Sequence, residues 1–188
     1  HLGVRRQRQM CIRDRFWCLP RGSDGRWDLA AARYQPLLVL AEHGEPRCWQ
    51  RIARYISRYD DWPVLHYGET ESLALLRMAQ RQGISEQQQA RLRRRLVDVH
   101  ARIRQHWRLP LNSYGLKAVA SWRGFQWGQS GVDGAHALLW WRHWQGEGPE
   151  RRGSSHALRW IFQYNRDDCR ATWAVADWLR HQDQAGGS

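Results

Sequence analysis

Lysine is almost absent from this chain of 188 residues: Lys and Arg total 30, and Lys117 is the single lysine among them. Cysteine is sparse, with Cys11, Cys18, Cys48 and Cys169, no CxxC pair and no Cys/His cluster at zinc-finger spacing. Zinc fingers are thereby excluded, and reduced structural thiols are expected. No apolar run approaches the ~20 residues that cross a bilayer, and no secretory hydrophobic segment follows a basic start. No membrane partner is expected, and the cytoplasm is the expected location. No internal repeat is visible, which removes solenoid architectures.

What the chain has in excess is arginine and tryptophan. Its formal net charge is +12, its pI about 10.7, and it holds 13 tryptophans. Such a balance points to a polyanionic partner, nucleic acid above all. Hydrophobic residues make up 42% and charged residues 26%, enough apolar content for one folded domain with a core. The several tryptophans at helical spacing, Trp140, Trp141 and Trp144, read first as packing residues.

The opening segment reads differently from the rest. Met10-Cys11-Ile12-Arg13-Asp14 resembles a translated sequencing adapter, so residues 1–15 are expected to be a basic tail foreign to the fold. A single domain is expected over 16–183, with a frayed tail over 184–188.

Along that domain, residues 16–20 predict a short strand and Ser23-Asp24-Gly25 a turn. Residues 28–42 predict a helix capped by Asp28 and interrupted by Pro36. A second helix is expected from about Pro46 to Tyr59, where Ile52, Ile56 and Tyr59 share a stripe. Residues 64–67 predict a buried strand, and Glu69 to about Gln82 a helix. Ser85 opens a further Gln- and Arg-rich helix. Residues 96–99 fit either a short strand or a longer helix. A helix capped by Asn112 or Ser113 runs to Trp122, an aromatic helix covers 135–144, an exposed linker covers 146–154, and a long helix covers about 155–182. Helices with a few strands between them predict an α/β layer fold.

Two places join acids to special neighbours. In His66-Tyr67-Gly68-Glu69-Thr70-Glu71 a strand runs into a helix, which puts Glu71 in the first helical turn beside a strand end, where α/β folds place their sites. In Tyr164-Asn165-Arg166-Asp167-Asp168, Tyr164 and Asp168 are four apart on a helix and share a face. Carboxylates are the hard oxygen donors that Mg²⁺ or Mn²⁺ requires, and two such ions cleave phosphodiesters in many nucleases. A phenol one turn from a carboxylate suits the orientation of water.

The strand–His66-Tyr67-Gly68-x-x-Glu71 unit resembles the second motif of the DEDD exonucleases, with Glu71 in place of the family's aspartate. Tyr164-x-x-x-Asp168 resembles the third motif of their tyrosine subgroup. HYGETE, LVDVH, SYGLKAVASWRGFQW and YNRDDCRATWAV together are similar to the YprB-type RNase H-like domain of RecB-like nucleases, over roughly residues 16–182. The resemblance implies an RNase H-like fold of the DnaQ exonuclease type, 3′→5′ phosphodiester hydrolysis with two Mg²⁺ or Mn²⁺ ions, and DNA or RNA as partner. It further implies catalytic roles for Glu71, Tyr164 and Asp168, metal ligation by Glu71 and Asp168 with Asp98 as a further candidate, and substrate contact through Lys117 and His66. Asp98 reads more readily as a strand-end hydrogen-bonder than as a ligand. Asp167 is expected to face solvent or to pair with Arg170. The family's first motif, D-x-E on the opening strand, has no counterpart before residue 16. The first strand or strands of the central sheet are therefore expected to be missing, the fragment to be inactive, and a second nuclease domain to precede it in the parent. The alternatives are a non-catalytic nucleic-acid-binding module or a protein-interaction module. The latter predicts Trp140, Trp141 and Trp144 exposed as one patch.

Overall fold

The structure is a computed structural model describing residues 14–23, 27–37, 44–146 and 156–185. The expected tail over residues 1–13, much of the turn at Ser23–Gly25, the 147–154 linker and the last three residues lie outside the described residues. Two strands come first, β1 (Asp14–Cys18) and β2 (Arg33–Leu37). They pair antiparallel, with Asp14 opposite Leu37 and Cys18 opposite Arg33. Asp14 and Arg15, assigned above to the tail, are thus part of the ladder.

The helix expected over 28–42 is corrected here. Asp28 does cap, its Oδ1 accepting from the N–H groups of Ala30 and Ala31 at 3.0 Å. The turn it caps ends there, and residues 33–37 are the strand β2. Pro36 has no N–H for a helical ladder, and its fixed φ suits an edge strand. Residues 38–42 of the expected helix lie outside the described residues.

Next come α1 (Glu45–Arg58), β3 (Val64–His66), α2 (Glu69–Arg81) and α3 (Glu86–Arg95). Pro46 sits in the first turn of α1, where a missing N–H is harmless. Helix α3 starts in a full capping box between Ser85 and Gln88. Cys48, Trp49 and Ile52 of α1, Leu75, Met78 and Ala79 of α2 and Leu92 of α3 form one core cluster, with Phe16 of β1 packed on it. Arg95 closes this half of the molecule. Its guanidinium donates to the carbonyls of Ile56 at 3.0 Å and Trp62 at 2.9 Å, and also to that of Tyr59, filling the bare carbonyl end of α1.

Leu96–Asp98 resolves as the strand β4, running directly into α4 (Val99–His106). Strands β3 and β4 pair in parallel, His66 opposite Asp98. Leu65 of β3 is 37% exposed, so the strand is less buried than its apolar sequence predicts. The described strands form two separate two-stranded sheets, β1–β2 and β3–β4. Then follow α5 (Leu116–Trp122), α6 (Gly134–Gly146) and α7 (His156–Ala185). The cap of α5 is Gly115 and neither Asn112 nor Ser113; Ser113 Oγ accepts from the Gly115 N–H instead. Helix α7 packs against β1, β3, α4, α5 and α6, so it is the common floor of both sheets. A second core cluster joins Val99 and Ile103 of α4, Val119 and Ala120 of α5, and Ala171, Val175 and Leu179 of α7. The exposed tryptophan patch that a protein-interaction module would show on α6 does not form: Trp141 is buried, because α6 turns that side toward α7.

Candidate functional site

The corner between β3 and α2 is built on one glycine. Gly68 has φ 92° and ψ 176°, a backbone conformation costly for any residue with a Cβ. Its N–H donates to Asp98 Oδ1 at 3.0 Å, and the same oxygen accepts from the Ala101 N–H at 3.1 Å. Asp98 is therefore both the N-cap of α4 and the anchor of the Gly68 turn. His66 Nδ1 donates to the Gly68 carbonyl at 2.7 Å, which fixes the proton on that nitrogen. Tyr67 donates to the Tyr114 carbonyl at 2.7 Å and stacks on His100 with centroids 5.2 Å apart. Burial, with the Asp98 carboxylate adding to it, pushes the Tyr67 phenol well above its ordinary value, so it stays a hydrogen-bond donor. Glu71 stands one turn further on, exposed, in the first turn of α2, where a negative charge suits the positive helix end.

The second half of the site lies on α7. Tyr164 and Asp168 are one turn apart and both half-buried. Lys117 reaches from α5 to lie over the Tyr164 ring, its Nζ 5.3 Å from the centroid, and stands at the same distance from the Trp127 ring. An ammonium between two aromatic faces is held by their quadrupoles. The only lysine of the chain is thus fixed beside the Tyr164–Asp168 turn.

Asp167 departs from half of its expectation. It is 3% exposed and does not face solvent, although it does pair with Arg170 at 3.5 Å. Its Oδ2 also accepts from the Gly128 N–H at 3.0 Å. That bond ties the 125–128 loop, and with it Trp127, onto α7. Gly128 has no room for a side chain: a Cβ there would lie 2.8 Å from Asp167 Oδ2 and from Gln163 Nε2. Sequence reading missed this anchor and the Trp127 face. A glycine next to a tryptophan marked the loop, but nothing marked its partner 39 residues later.

Residues of both halves meet in one core. The cluster around Ala171 and Val175 also takes in Tyr67, so the end of β3 and the turn after Asp168 share packing. Among the described residues no three His, Cys, Asp or Glu side chains are grouped closely enough to hold a metal ion.

The family model RNase_H_2, described as the RNase_H superfamily, matches residues 28–180. No curated protein and no solved structure matches the chain. The match runs from the Asp28 turn, through the Gly68 corner, to the far end of α7, and so takes in both halves of the site. The mixed, helix-rich α/β architecture agrees with it, and nucleases of this superfamily generally use divalent metals. The chain belongs to the RNase H superfamily.

Proposed function

We propose that the chain carries the later part of a metal-dependent nuclease of the DEDD exonuclease type, acting 3′→5′ on DNA or RNA inside a larger RecB-like protein of the YprB kind. The observation that carries this reading is the α7 turn, where Tyr164 and Asp168 are one turn apart and Lys117 lies over the phenol ring, in a chain of the RNase H superfamily. Glu71 and Asp168 are the two carboxylates this chain contributes. Tyr164 orients the attacking water, and Lys117 and His66 meet the substrate phosphate. Asp98 acts through Gly68, fixing the turn from which α2 and Glu71 start. A two-metal site of this type needs further acids beside Glu71 and Asp168, and cleavage by this chain alone is expected to be very weak. A non-catalytic nucleic-acid-binding domain is the second reading, favoured by the small number of grouped acids and by the net charge of +12.

Titration with Mn²⁺, followed by paramagnetic line broadening of backbone amides, tests the geometry without any activity. Amides of residues 68–72 and of 164–171 are expected to broaden together. Broadening confined to one of the two segments overturns the shared site. In the intact parent protein, Asp168→Asn is expected to lower cleavage by more than about 100-fold, since even partners behind metal ligands cost 10–100-fold. Equal cleavage by both proteins removes Asp168 from the chemistry.

A further inference from the structure

Helix α1 has two faces that share no property. Its inner face, Cys48, Trp49 and Ile52, is buried in the first core cluster. Its outer face holds Arg47, Arg51, Arg54 and Arg58, all exposed. At about 100° per residue these arginines fall within about 60° of arc, roughly opposite Ile52. They span about 16 Å along the axis, at 1.5 Å per residue over eleven residues. Among the described residues none of the four pairs with an acid; Arg58 lies over the Tyr59 ring at 5.7 Å and acts on the Cys18 thiol. The one acid of the helix, Glu45, is held by Arg81 of α2 through two hydrogen bonds of 2.8 and 2.9 Å. The positive charge of the chain is not spread evenly: α1 carries four arginines against Glu45, and α3 carries Arg91, Arg93, Arg94 and Arg95 against Glu86. Helix α7 balances Arg159, Arg166, Arg170 and Arg180 with Asp167, Asp168, Asp177 and Asp183, and α2 balances Arg77 and Arg81 with Glu69 and Glu71.

We propose that the Arg47–Arg51–Arg54–Arg58 ridge of α1 is a docking surface for the phosphodiester backbone of a nucleic acid, read without regard to sequence. Four uncompensated cations in a row repel one another, and a line of phosphates removes that repulsion. Guanidinium groups hold phosphate oxygens in pairs, which a bare ridge needs if it is to grip without a pocket. The ridge length matches about five steps of one duplex strand at 3.4 Å each. A membrane surface fits less well, because an interfacial helix must offer its apolar side to lipid, and here that side is already buried. A protein partner fits less well too, because the ridge lacks the desolvated apolar centre from which protein interfaces draw their affinity. The surface lies on α1 and does not depend on cleavage.

Anisotropy of fluorescent duplex and single-stranded oligonucleotides, measured in EDTA across 50–200 mM salt, tests it while leaving nuclease activity out. Replacing all four arginines by Gln is expected to weaken duplex binding at least tenfold at 100 mM salt. It should also lower the slope of log affinity against log salt by about three to four, at about 0.9 per phosphate contact. The fourfold Arg→Lys variant keeps the charge and is expected to retain most of the binding and nearly all of the slope. A control set with the same charge change, Gln at the exposed Arg77, Arg104, Arg108 and Arg159, is expected to lose much less. Equal losses in the two sets overturn the ridge in favour of net charge alone, and no loss in the ridge variant overturns it outright. Ridge-dependent binding to phosphatidylserine vesicles or to an acidic peptide, with none to oligonucleotides, also overturns it.

Discussion

Helices α1 and α7 answer the same demand, burial of an apolar stripe, with opposite charge plans. Helix α7 is packed against five other elements, and its acids and bases are equal in number and partly used inside the fold. Asp167 is buried against Gly128 and Arg170, and Asp177 holds Arg180 at 3.0 Å. Helix α1 buries its stripe as completely, Ile52 being 0% exposed, yet leaves a row of arginines that no acid pairs with among the described residues. A helix at the centre of a fold pairs its charges because neighbours surround it and unpaired buried charge is costly. A helix with one free side can keep a single sign there, at the expense of some self-repulsion, if something outside supplies the other sign. The difference separates residues that hold the molecule together from residues that await a partner.

Substitutions sharpen that separation, beginning with the largest effect. Ile52→Ala on the inner face of α1 is expected to cost about 2–5 kcal/mol, since a fully enclosed side chain leaves a cavity. A Gln at any one ridge arginine should stay within about 0.5 kcal/mol of the parent. Urea denaturation of the single variants measures both. Comparable losses on the two faces would mean that the ridge arginines are structural.

On α7 the acids should behave as the core does. Asp167→Ala strips the Gly128 N–H and Arg170 of their acceptor and is expected to cost about 1–3 kcal/mol. Gly128→Ala should fall in the same range, because the added Cβ meets Asp167 and Gln163 at 2.8 Å. Both changes should also alter Trp127 fluorescence by releasing the loop beside Lys117, and a stable Asp167→Ala protein with unchanged fluorescence would show that the loop stands without its anchor. Asp98→Ala comes next, at about 0.5–2 kcal/mol for the lost cap of α4, plus loosening of the Gly68 turn. Asp98→Asn retains an accepting oxygen and should recover most of the loss. Amide hydrogen exchange at Gly68 reports the turn directly, and protection unchanged in Asp98→Ala would break the link between Asp98 and the position of Glu71.

Much of this was legible in the sequence, and what was not has a physical pattern. The helix at 45–58, the capping box at Ser85 and the strand-to-helix corner at Gly68 were readable because the signals are local: a proline in a first turn, a serine three residues before a glutamine, a glycine after an apolar run. The 33–37 strand was misread because Asp28 carries a true cap signature but caps only a turn, and the partner that makes the segment a strand, β1, lies fifteen or more residues earlier. Pro36 was the stronger signal and was given too little weight. For the site, Glu71, Tyr164 and Asp168 were named from the resemblance to the DEDD motifs, and Lys117 from that resemblance beside its rarity. The seat of Lys117 between Tyr164 and Trp127, and the Asp167–Gly128 tie, join segments tens of residues apart, and no local pattern encodes such a contact. The arginine ridge was plainly written at spacings of four, three and four, yet reads as ordinary solvated surface until set against α2 and α7, whose acids and bases are equal in number.

The smallest effect lies where α1 meets α2 through Glu45 and Arg81, the one compensated charge of the otherwise uncompensated helix. Hydrogen bonds from Arg81 hold the Glu45 carboxyl below its ordinary value, outweighing partial burial, which acts the other way. A depressed folded-state value means that the stabilisation is fully present above the ordinary carboxylate range and is lost as pH falls through the depressed value. Because Arg81 is 51% exposed, solvent screens the pair and the contribution stays below about 1 kcal/mol. Thermal melts of the parent and of Arg81→Gln should therefore differ slightly at pH 7 and converge as pH falls through the depressed value, where the carboxyl takes up its proton. A gap that persists in acid would mean that Arg81 stabilises the α1–α2 contact by packing rather than by charge. Glu45 would then be as uncoupled from its surroundings as the ridge arginines, and the contrast between α1 and α7 would widen.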